Sequence, residues 1–288
     1  MKKFEYYKPK SLTEVWELKA KFPNSRFIAG GTDVMVKIKG GLLAPDALIS
    51  LRDVPELKNI SVEKNIRIGA GCTITELVEN VQLQKAVPAL VQAAGRIGSL
   101  QIRNVATIGG NLGNCSPCAD TAPALLVLEA RAVVRSAKST REIPLQDFFT
   151  GPGTSCLSPQ EILTELVIDI PNLQTKAITM KKGRVQMDLA LASVAVLMET
   201  DGKICKKLRI AAGSVAPVPL RLTKAEKVLE NAEITKEKIK EVQRIAMESV
   251  SPISDVRTTA EYRRHLVGVY VKNAIQSLTD GGQHEKRN

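Results

Sequence analysis

Apolar and polar positions along the first part of the chain predict strands and helices in alternation. Short apolar runs bounded by Gly, Pro or Asn, as in FEYYKP, SRFIAG and ALISL, are typical of strands. The segments LTEVWELKAKF and ITELVENVQLQKAV mix apolar and polar positions as amphipathic helices do. Ser11 with Glu14, and Thr73 with Glu76, have the spacing of capping boxes, which indicates where these two helices begin.

The middle of the chain continues this mixture. DVMVKIK predicts a short helix that ends at Gly40 and Gly41, and NISVEKNIRIGAG predicts a hairpin that turns at residues 63–65. Further on, APALLVLEA predicts a buried helix and RAVVRS a strand. The segment REIPLQDFFTGPGTSCLSPQEILTELVIDIP predicts strands around a loop rich in Gly, Ser and Pro.

The pattern changes near Pro171. From there KAITMKKGRVQMDLALASVAVLMETDGKICKKLRIAAGSV predicts strands and a buried segment, with a hairpin turn at Asp201 and Gly202. Helices follow between Thr223 and Leu278, and the tail TDGGQHEKRN is expected to fray. The chain is therefore predicted to be a mixed α+β protein in two parts.

Two glycine-rich loops stand out in the first part, RFIAGGTDVMVKIKGG at 26–41 and NVATIGGNLGNCSPCADTAP at 104–123. Paired glycines allow positive φ and let backbone amides approach a ligand without an intervening Cβ. A loop that opens a helix also adds the positive end of the helix dipole, so each loop suits a phosphate. Neither loop has the spacing of a P-loop or of a dinucleotide fingerprint. The alternative is that both are tight turns between core elements.

Composition narrows the class of protein. A chain of 288 residues with 44% hydrophobic and 25% charged residues is typical of a globular protein of about two domains. No apolar run approaches the roughly 20 residues of a membrane helix, and no apolar segment follows the N-terminal lysines as in a signal peptide. Five scattered cysteines do not form a disulfide framework, so we expect a cytoplasmic protein.

Charge and the inventory of reactive side chains exclude several functions. The net charge is +11, but basic residues alternate with acids and aromatic residues make up only 3%, so we expect no nucleic-acid partner. With only His265 and His284, a Ser-His-Asp or Cys-His catalytic set is not expected. Cys115 and Cys118 form one C-x-x-C, which indicates small loop residues rather than a redox pair or a metal site. A bound cofactor would then supply the chemistry.

Three motifs carry a resemblance to a known family. AGGTD at 29–33, QIRNVATIGGN at 101–111 and SPCADTAPALLVLEA at 116–130, in this order and spacing, resemble the FAD-binding medium subunits of the xanthine dehydrogenase and carbon monoxide dehydrogenase family of molybdenum hydroxylases. GRVQMDLALASVAV at 183–196 and the basic helical end resemble the C-terminal domain of these flavoproteins.

The resemblance implies an α+β fold with an FAD-binding domain of the vanillyl-alcohol-oxidase (PCMH) type over residues 1–172, in subdomains of about 1–55 and 56–172. A smaller domain of sheet plus helices would span 173–280, followed by a tail at 281–288. FAD would be bound non-covalently. Molybdopterin would lie on a large partner subunit and [2Fe–2S] clusters on a small one, in a dimer of heterotrimers that delivers electrons to NAD+ or another acceptor.

The resemblance also implies a set of cofactor-binding residues, with no catalytic residue and no metal ligand in this chain. The first loop would wrap the FAD diphosphate with its amides, the second loop would form the other flavin contact, and an apolar residue of EILTEL (Leu163 or Leu166) and a lysine would lie near the flavin ring. The implied binding residues are Phe27, Ile28, Ala29, Gly30, Gly31, Thr32, Asp33, Val34, Ile102, Ala106, Thr107, Gly110, Asn111, Gly113, Asn114, Asp120, Leu166, Lys181 and Lys182.

Other functions stay open at this point. Relatives that act on aromatic CoA thioesters have a cysteine-rich insertion in this subunit, and its absence favours hydroxylation of a purine or a similar N-heterocycle. The alternatives are the medium subunit of a carbon monoxide or aldehyde dehydrogenase, a free-standing FAD oxidoreductase, and a structural or nucleic-acid-binding protein that uses its basic face.

Overall fold

The structure is a computed structural model that describes residues 2–279. The predicted tail at 281–288, and the last residue of the predicted C-terminal domain, lie outside the described residues. Within residues 2–279, no helix has the length and apolar character needed to cross a membrane.

Short helices and strands alternate along the described chain, and the longest helices lie near its C-terminal end. The helices are α1 (Leu12–Lys21), α2 (Val34–Lys39), α3 (Ile74–Glu79), α4 (Val81–Ala86), α5 (Pro88–Gly95), α6 (Leu100–Arg103), α7 (Ile108–Gly113), α8 (Ala122–Val127), α9 (Thr223–Glu226), α10 (Lys236–Glu248) and α11 (Ala260–Thr279). The strands are β1 (Glu5–Tyr7), β2 (Ser25–Ile28), β3 (Ala47–Ser50), β4 (Ile60–Val62), β5 (Asn65–Gly69), β6 (Arg131–Arg135), β7 (Thr140–Pro144), β8 (Phe149–Gly151), β9 (Thr154–Ser155), β10 (Ile162–Asp169), β11 (Thr175–Lys182), β12 (Ala192–Asp201), β13 (Ile204–Gly213), β14 (Leu220–Arg221) and β15 (Ala232–Glu233).

A small parallel sheet forms the N-terminal part, with β1 and β2 on either side of β3. Parallel strands need crossover connections, which α1 and α2 supply here. Every residue of β3 is buried, and α1 places Leu12 and Val15 in the same small core. The first glycine pair follows directly after β2, so its loop leaves the sheet at the carboxyl end of a strand.

A five-stranded antiparallel sheet, in the order β4-β5-β10-β6-β7, forms the next part. Its apolar side chains share one core with α3, α5, α7 and α8, which contribute Leu77, Leu90, Ile108 and Leu125 respectively. Because α7 is anchored in this core, the second glycine pair at its start is held firmly against the sheet.

The C-terminal part is a sheet in the order β11-β12-β13-β14, with β15 added beside β13. Side chains alternate along β12: Val194 and Val196 belong to the core beneath α10 and α11, whereas Ala195 and Leu197 belong to the core that contains α8. This period of two is what a strand buried on both faces requires. The sheet therefore joins the two parts, and the predicted boundary at 172–173 falls in the connection between β10 and β11.

The structure confirms the predicted α+β class and most predicted elements, and corrects others. The capping box of Thr73 and Glu76 is complete. Glu14 instead accepts the amide of Lys10 at 2.8 Å, although Ser11 accepts the amide of Glu14 as predicted.

Two predictions about local structure were wrong. The single helix expected over 74–87 is divided at Asn80, which has extended ψ of 110° and caps α4 by accepting the amide of Leu83 at 3.0 Å. A side chain that bonds its own backbone competes with helix continuation at such positions. The stretch IGGNLG, expected to be loop, is the helix α7, which packing against the core stabilises despite its three glycines.

Candidate cofactor site

A cavity of about 670 Å³ is bordered by both glycine loops. Its walls also include the segment after β5, the loop before α8, the start of β10 and the loop after β11. Most residues predicted to bind the cofactor line it: Phe27, Ala29, Gly30, Gly31, Thr32, Asp33, Val34, Ile102, Ala106, Thr107, Gly110, Asn111, Gly113, Asn114 and Asp120.

In the first loop, the two glycines have different functions. Gly31 has φ of 74°, in the left-handed region that favours glycine. Gly30 has ordinary backbone angles, but a Cβ there would lie 2.0 Å from the carbonyl oxygen of Val105, so only glycine lets the two loops meet. Asp33 is the N-cap residue of α2, but its side chain makes no cap hydrogen bond.

The backbone amides of the first loop are available to a ligand. Within residues 2–279, no protein group accepts a hydrogen bond from the amides of residues 30–33, all of which line the cavity. Residues 30–32 are half-buried and Asp33 is exposed, so these four amides are free to donate to a ligand in the cavity or to water. Since α2 has only six residues, these amides, rather than a long helix dipole, are the groups suited to an anion.

The glycines of the second loop are of two kinds: one packs against a strand, and two face the cavity. A Cβ on Gly109 would lie 2.5 Å from the side chain of Ala70, so this glycine allows close packing beside β5. Gly110 would meet only Thr107 Oγ1, at 3.0 Å, and Gly113 would meet nothing within 4 Å. Thr107 caps α7 through the amide of Gly110. Gly110 and Gly113 thus leave the cavity wall open.

Asn111 is oriented by a neighbour. The buried Thr121 hydroxyl donates to Asn111 Oδ1 at 2.6 Å. The side-chain nitrogen of Asn111, Nδ2, therefore remains to donate to a ligand. Asn111 lies inside α7 without positive φ, so the helix rather than a turn sets the direction of its side chain.

Asp120 is a nearly buried carboxylate, and one of its two oxygens has no hydrogen-bond donor among the described residues. Lys181 donates to its Oδ2 at 2.7 Å, while its Oδ1 has no hydrogen-bond partner within the described chain. Burial raises the pKa of Asp120 in spite of the opposing charge of Lys181. An orphaned buried oxygen on a cavity wall is suited to accept a hydrogen bond from a ligand hydroxyl or N–H.

Four predicted residues do not line the cavity. Lys181 lies behind Asp120 and also donates to the carbonyl of Arg96, and Lys182, one residue further along β11, is exposed. Ile28 packs over Gly31 instead. Leu166 is fully buried in the core and does not line the cavity, whereas Leu163, the alternative that the resemblance left open, does.

Leu163 and Leu166 differ in their position along β10. The register shift with β6 between Leu163 and Glu165 places both side chains on one face, in the same core. Leu166 pairs with Ile68 and Ala132 inside the sheet, whereas Leu163 lies near the start of the strand, beside the cavity. The alternative that the sequence had left open is thus the one that the structure favours.

Several wall residues were not assigned to the cofactor from the sequence. Gly71, Glu161 and Met187 come from segments distant in sequence, and only folding brings them together at the cavity. Lys37 could have been found, because it lies one helical turn after Asp33 on α2. Its ammonium group donates to Asn114 Oδ1 at 2.7 Å, from one glycine loop to the helix of the other.

The two cysteines of the C-x-x-C lie in different surroundings. Cys115 is buried, and desolvation raises the pKa of its thiol to about 11, whereas Cys118 is half-buried and lines the cavity. All five cysteines are free thiols. Among residues 2–279, no group of three or more His, Cys, Asp or Glu side chains could hold a metal ion.

The cavity fits a long phosphorylated cofactor. Unpaired amides suit a diphosphate, the glycines without Cβ neighbours leave room for a flat group, and Asp120 Oδ1 lacks a donor. These observations make the cavity a candidate site for a dinucleotide cofactor on an α+β fold.

Comparison with known proteins agrees with this geometry. Residues 2–173 match the FAD binding domain in molybdopterin dehydrogenase, and residues 179–278 match the CO dehydrogenase flavoprotein C-terminal domain. The nicotinate dehydrogenase FAD-subunit of Eubacterium barkeri is 33% identical, with 99% of this chain and 100% of that protein covered. The xanthine dehydrogenase FAD-binding subunit of Escherichia coli O157:H7 is 31% identical, with 94% of each covered.

Structural comparison gives the same answer. The carbon monoxide dehydrogenase of Hydrogenophaga pseudoflava, in a form that lacks the Mo-pyranopterin moiety of its cofactor, has a chain that aligns with a TM-score of 0.93 and 30% identity. The alignment covers 96% of this chain and 97% of that one.

The fold and the matches define an FAD-dependent oxidoreductase subunit. The chain belongs to the FAD-binding medium subunits of the xanthine dehydrogenase and carbon monoxide dehydrogenase family of molybdenum hydroxylases. In this family, molybdopterin and the iron–sulfur clusters belong to partner subunits.

Proposed function

We propose that this chain transfers electrons from the [2Fe–2S] clusters of a small partner subunit to NAD+ or another acceptor. In the proposed complex, a molybdopterin-bearing large subunit hydroxylates a purine or a similar N-heterocycle. The complex is a cytoplasmic dimer of heterotrimers, and the free thiols of the chain are compatible with a reducing compartment.

The cavity between the glycine loops is the observation that carries this proposal. Bound FAD supplies redox chemistry, which the chain's own side chains do not offer. The amides of residues 30–33 hold the diphosphate, the Asn111 amide nitrogen donates, and Asp120 Oδ1 accepts. Leu163 and Ile102 exclude water from the apolar wall. All these groups bind and orient, and none is required to transfer a proton.

The substrate class is supported by the relatives. The names of the Eubacterium barkeri and Escherichia coli relatives refer to nicotinate and xanthine, and both compounds are N-heterocycles. The structural likeness to carbon monoxide dehydrogenase supports an alternative, in which the large subunit oxidises carbon monoxide or an aldehyde.

The test begins with the chain alone. Purified without iron or molybdenum, it should contain one flavin that acid denaturation and filtration release completely, because the linkage is non-covalent. It should transfer electrons from NADH to an artificial dye but should not oxidise xanthine, nicotinate, an aldehyde or carbon monoxide.

Addition of the large and small subunits should restore oxidation of one substrate class. Oxidation of xanthine or nicotinate would support the N-heterocycle proposal, and oxidation of carbon monoxide or an aldehyde would support the alternative. Oxidation of an organic substrate by the metal-free chain at an enzymatic rate would instead show a free-standing oxidoreductase. Colour retained on the acid-denatured protein would contradict non-covalent binding.

A further inference from the structure

We propose that Lys37 is a ligand of the cofactor diphosphate and makes the cavity select FAD over flavins with fewer phosphates. This inference rests on the proposed function and deepens it, because it assigns a charged side chain to a site otherwise formed by neutral amides.

The position of Lys37 places its ammonium group between the two glycine loops. The Lys37 amide donates to the carbonyl of Asp33 at 3.0 Å, so the two residues share one face of α2. Long side chains on a helix lean towards its N-terminus, here towards the unpaired amides of residues 30–33. At the same time Lys37 Nζ donates to Asn114 Oδ1 at 2.7 Å, at the end of α7.

Donor capacity supports a ligand at this position. An ammonium group has three N–H donors, of which Asn114 uses one. Lys37 is half-buried, lines the cavity and makes no ion pair with a carboxylate of residues 2–279. Two donors therefore remain for oxygens of a bound anion.

The carboxylates of the cavity wall do not neutralise the charge of Lys37. Three of the four have another basic partner: the pairs are Asp120 with Lys181, Glu161 with Arg141 and Asp188 with Arg184. The fourth, Asp33, is exposed one helical turn before Lys37, and the two side chains form no ion pair. Arg26, which also lines the cavity, adds a second positive charge but is exposed. The two positive charges of Lys37 and Arg26 exceed the single negative charge of Asp33, so the loop end of the cavity keeps a net positive charge, which suits a diphosphate.

The experiment compares three flavins with the cofactor-free protein. FAD has two phosphates, FMN one and riboflavin none, and flavin fluorescence measures each affinity. K37Q removes the charge but keeps a donor for Asn114, and we expect FAD to bind about 10- to 100-fold more weakly, since hydrogen bonds to charged groups have this strength. The effect on FMN should be smaller, and riboflavin should bind as it does to the wild type.

Lys39 provides the matched control, because it lies on the same helix but is exposed and outside the cavity wall. K39Q should leave all three affinities unchanged, and K37R should retain most of the preference for FAD. Equal losses for FAD and riboflavin in K37Q would overturn the proposal, as would equal effects of K37Q and K39Q.

If K37Q does not fold, a measurement on the wild type tests the proposal instead. Added salt screens charges, so it should weaken FAD binding more than riboflavin binding, and equal responses would contradict the proposal. If the wild type binds no flavin, the proposed function itself fails. If it binds FAD and K37Q binds FAD equally well, only the inference about Lys37 is wrong.

Discussion

Lys181 donates a hydrogen bond of 2.7 Å to Asp120 from the first strand of the C-terminal sheet to the loop before α8. Both side chains are more than nine-tenths buried. The pair therefore connects the two parts of the chain and fixes the carboxylate that faces the cavity.

Removal of one member of this pair should be costly. Lys181→Met leaves the Asp120 carboxylate buried without its partner, and breaking a buried ion pair costs about 3–5 kcal/mol. Lys182→Met changes the adjacent, exposed lysine and should alter the free energy of unfolding by less than about 0.5 kcal/mol. Denaturant unfolding of the cofactor-free proteins measures both. Equal losses would show that the ion pair does not stabilise the fold.

Gly113 allows a test of the cavity that does not disturb the fold. It is the last residue of α7, lines the cavity, and a Cβ there would meet nothing within 4 Å. Gly113→Val should therefore fold but fill cofactor space. Overpacking costs about 1–3 kcal/mol, so we expect FAD to bind about 5- to 150-fold more weakly.

Gly95 is the control for this change. It is the last residue of α5, lies outside the cavity wall, and a Cβ there would come no closer than 3.9 Å to Val78. Gly95→Val should bind FAD as the wild type does. Flavin titration beside thermal unfolding decides: an unchanged FAD affinity in Gly113→Val would place the cofactor elsewhere.

Glu161 should give the fold a defined sensitivity to acid. Arg141 donates to its two oxygens at 2.7 and 2.9 Å, and with the Ser158 amide this lowers its pKa from 4.5 to about 2. Because the pKa is lower in the folded chain, the stabilisation is present above pH about 4.5 and is lost as the pH falls towards 2.

Glu161→Gln should therefore lower the free energy of unfolding at neutral pH by about 1–3 kcal/mol and flatten its decline in acid. Glu63→Gln, in the exposed turn between β4 and β5, should change neither quantity. Unfolding midpoints measured across the pH range test this, and a decline in Glu161→Gln as steep as in the wild type would contradict it.

The cysteines at 115 and 118 should be dispensable for electron transfer. Cys115 is buried with a raised thiol pKa, and Cys118 faces the cavity, so the two are not arranged as a reactive pair. A double Cys→Ala variant should keep its flavin and its NADH–dye activity. Loss of acceptor reduction with FAD still bound would show that the pair has a redox function.

Local chemistry explains which features the sequence could predict. The capping box of Thr73 and the hairpin at Gly202 depend on neighbouring residues, and both appear as expected. The break at Asn80 also has a local cause, the cap that its side chain makes for α4. An asparagine can equally lie inside a continuous helix, so the sequence alone does not predict the break. Helix α7 could not be predicted from propensity, because the packing of Ile108 and Leu112 determines it.

The residues of the cavity likewise divide into those that the sequence could predict and those that it could not. The residues of the two glycine motifs border it together, since the motifs contain both the backbone freedom and the helix starts. The choice between Leu163 and Leu166 depended on which part of β10 borders the cavity, and the choice between Lys181 and Lys182 depended on which face of β11 points inward. Both depend on how the strands assemble into sheets, which a single segment does not contain.

The alternating side chains of β12 make the whole described chain a single folding unit. Ala195 and Leu197 complete the interior of the part that precedes them, so a fragment cut between β10 and β11 would expose apolar surface on both pieces. We therefore expect one cooperative melting transition. If either part were exchanged with that of a homologous protein, the small side chains of Ala195 and Ala211 would have to be kept. Larger side chains at these positions would push the sheet away from α8. Asp120, which lies just before α8, would then be displaced from the cavity wall.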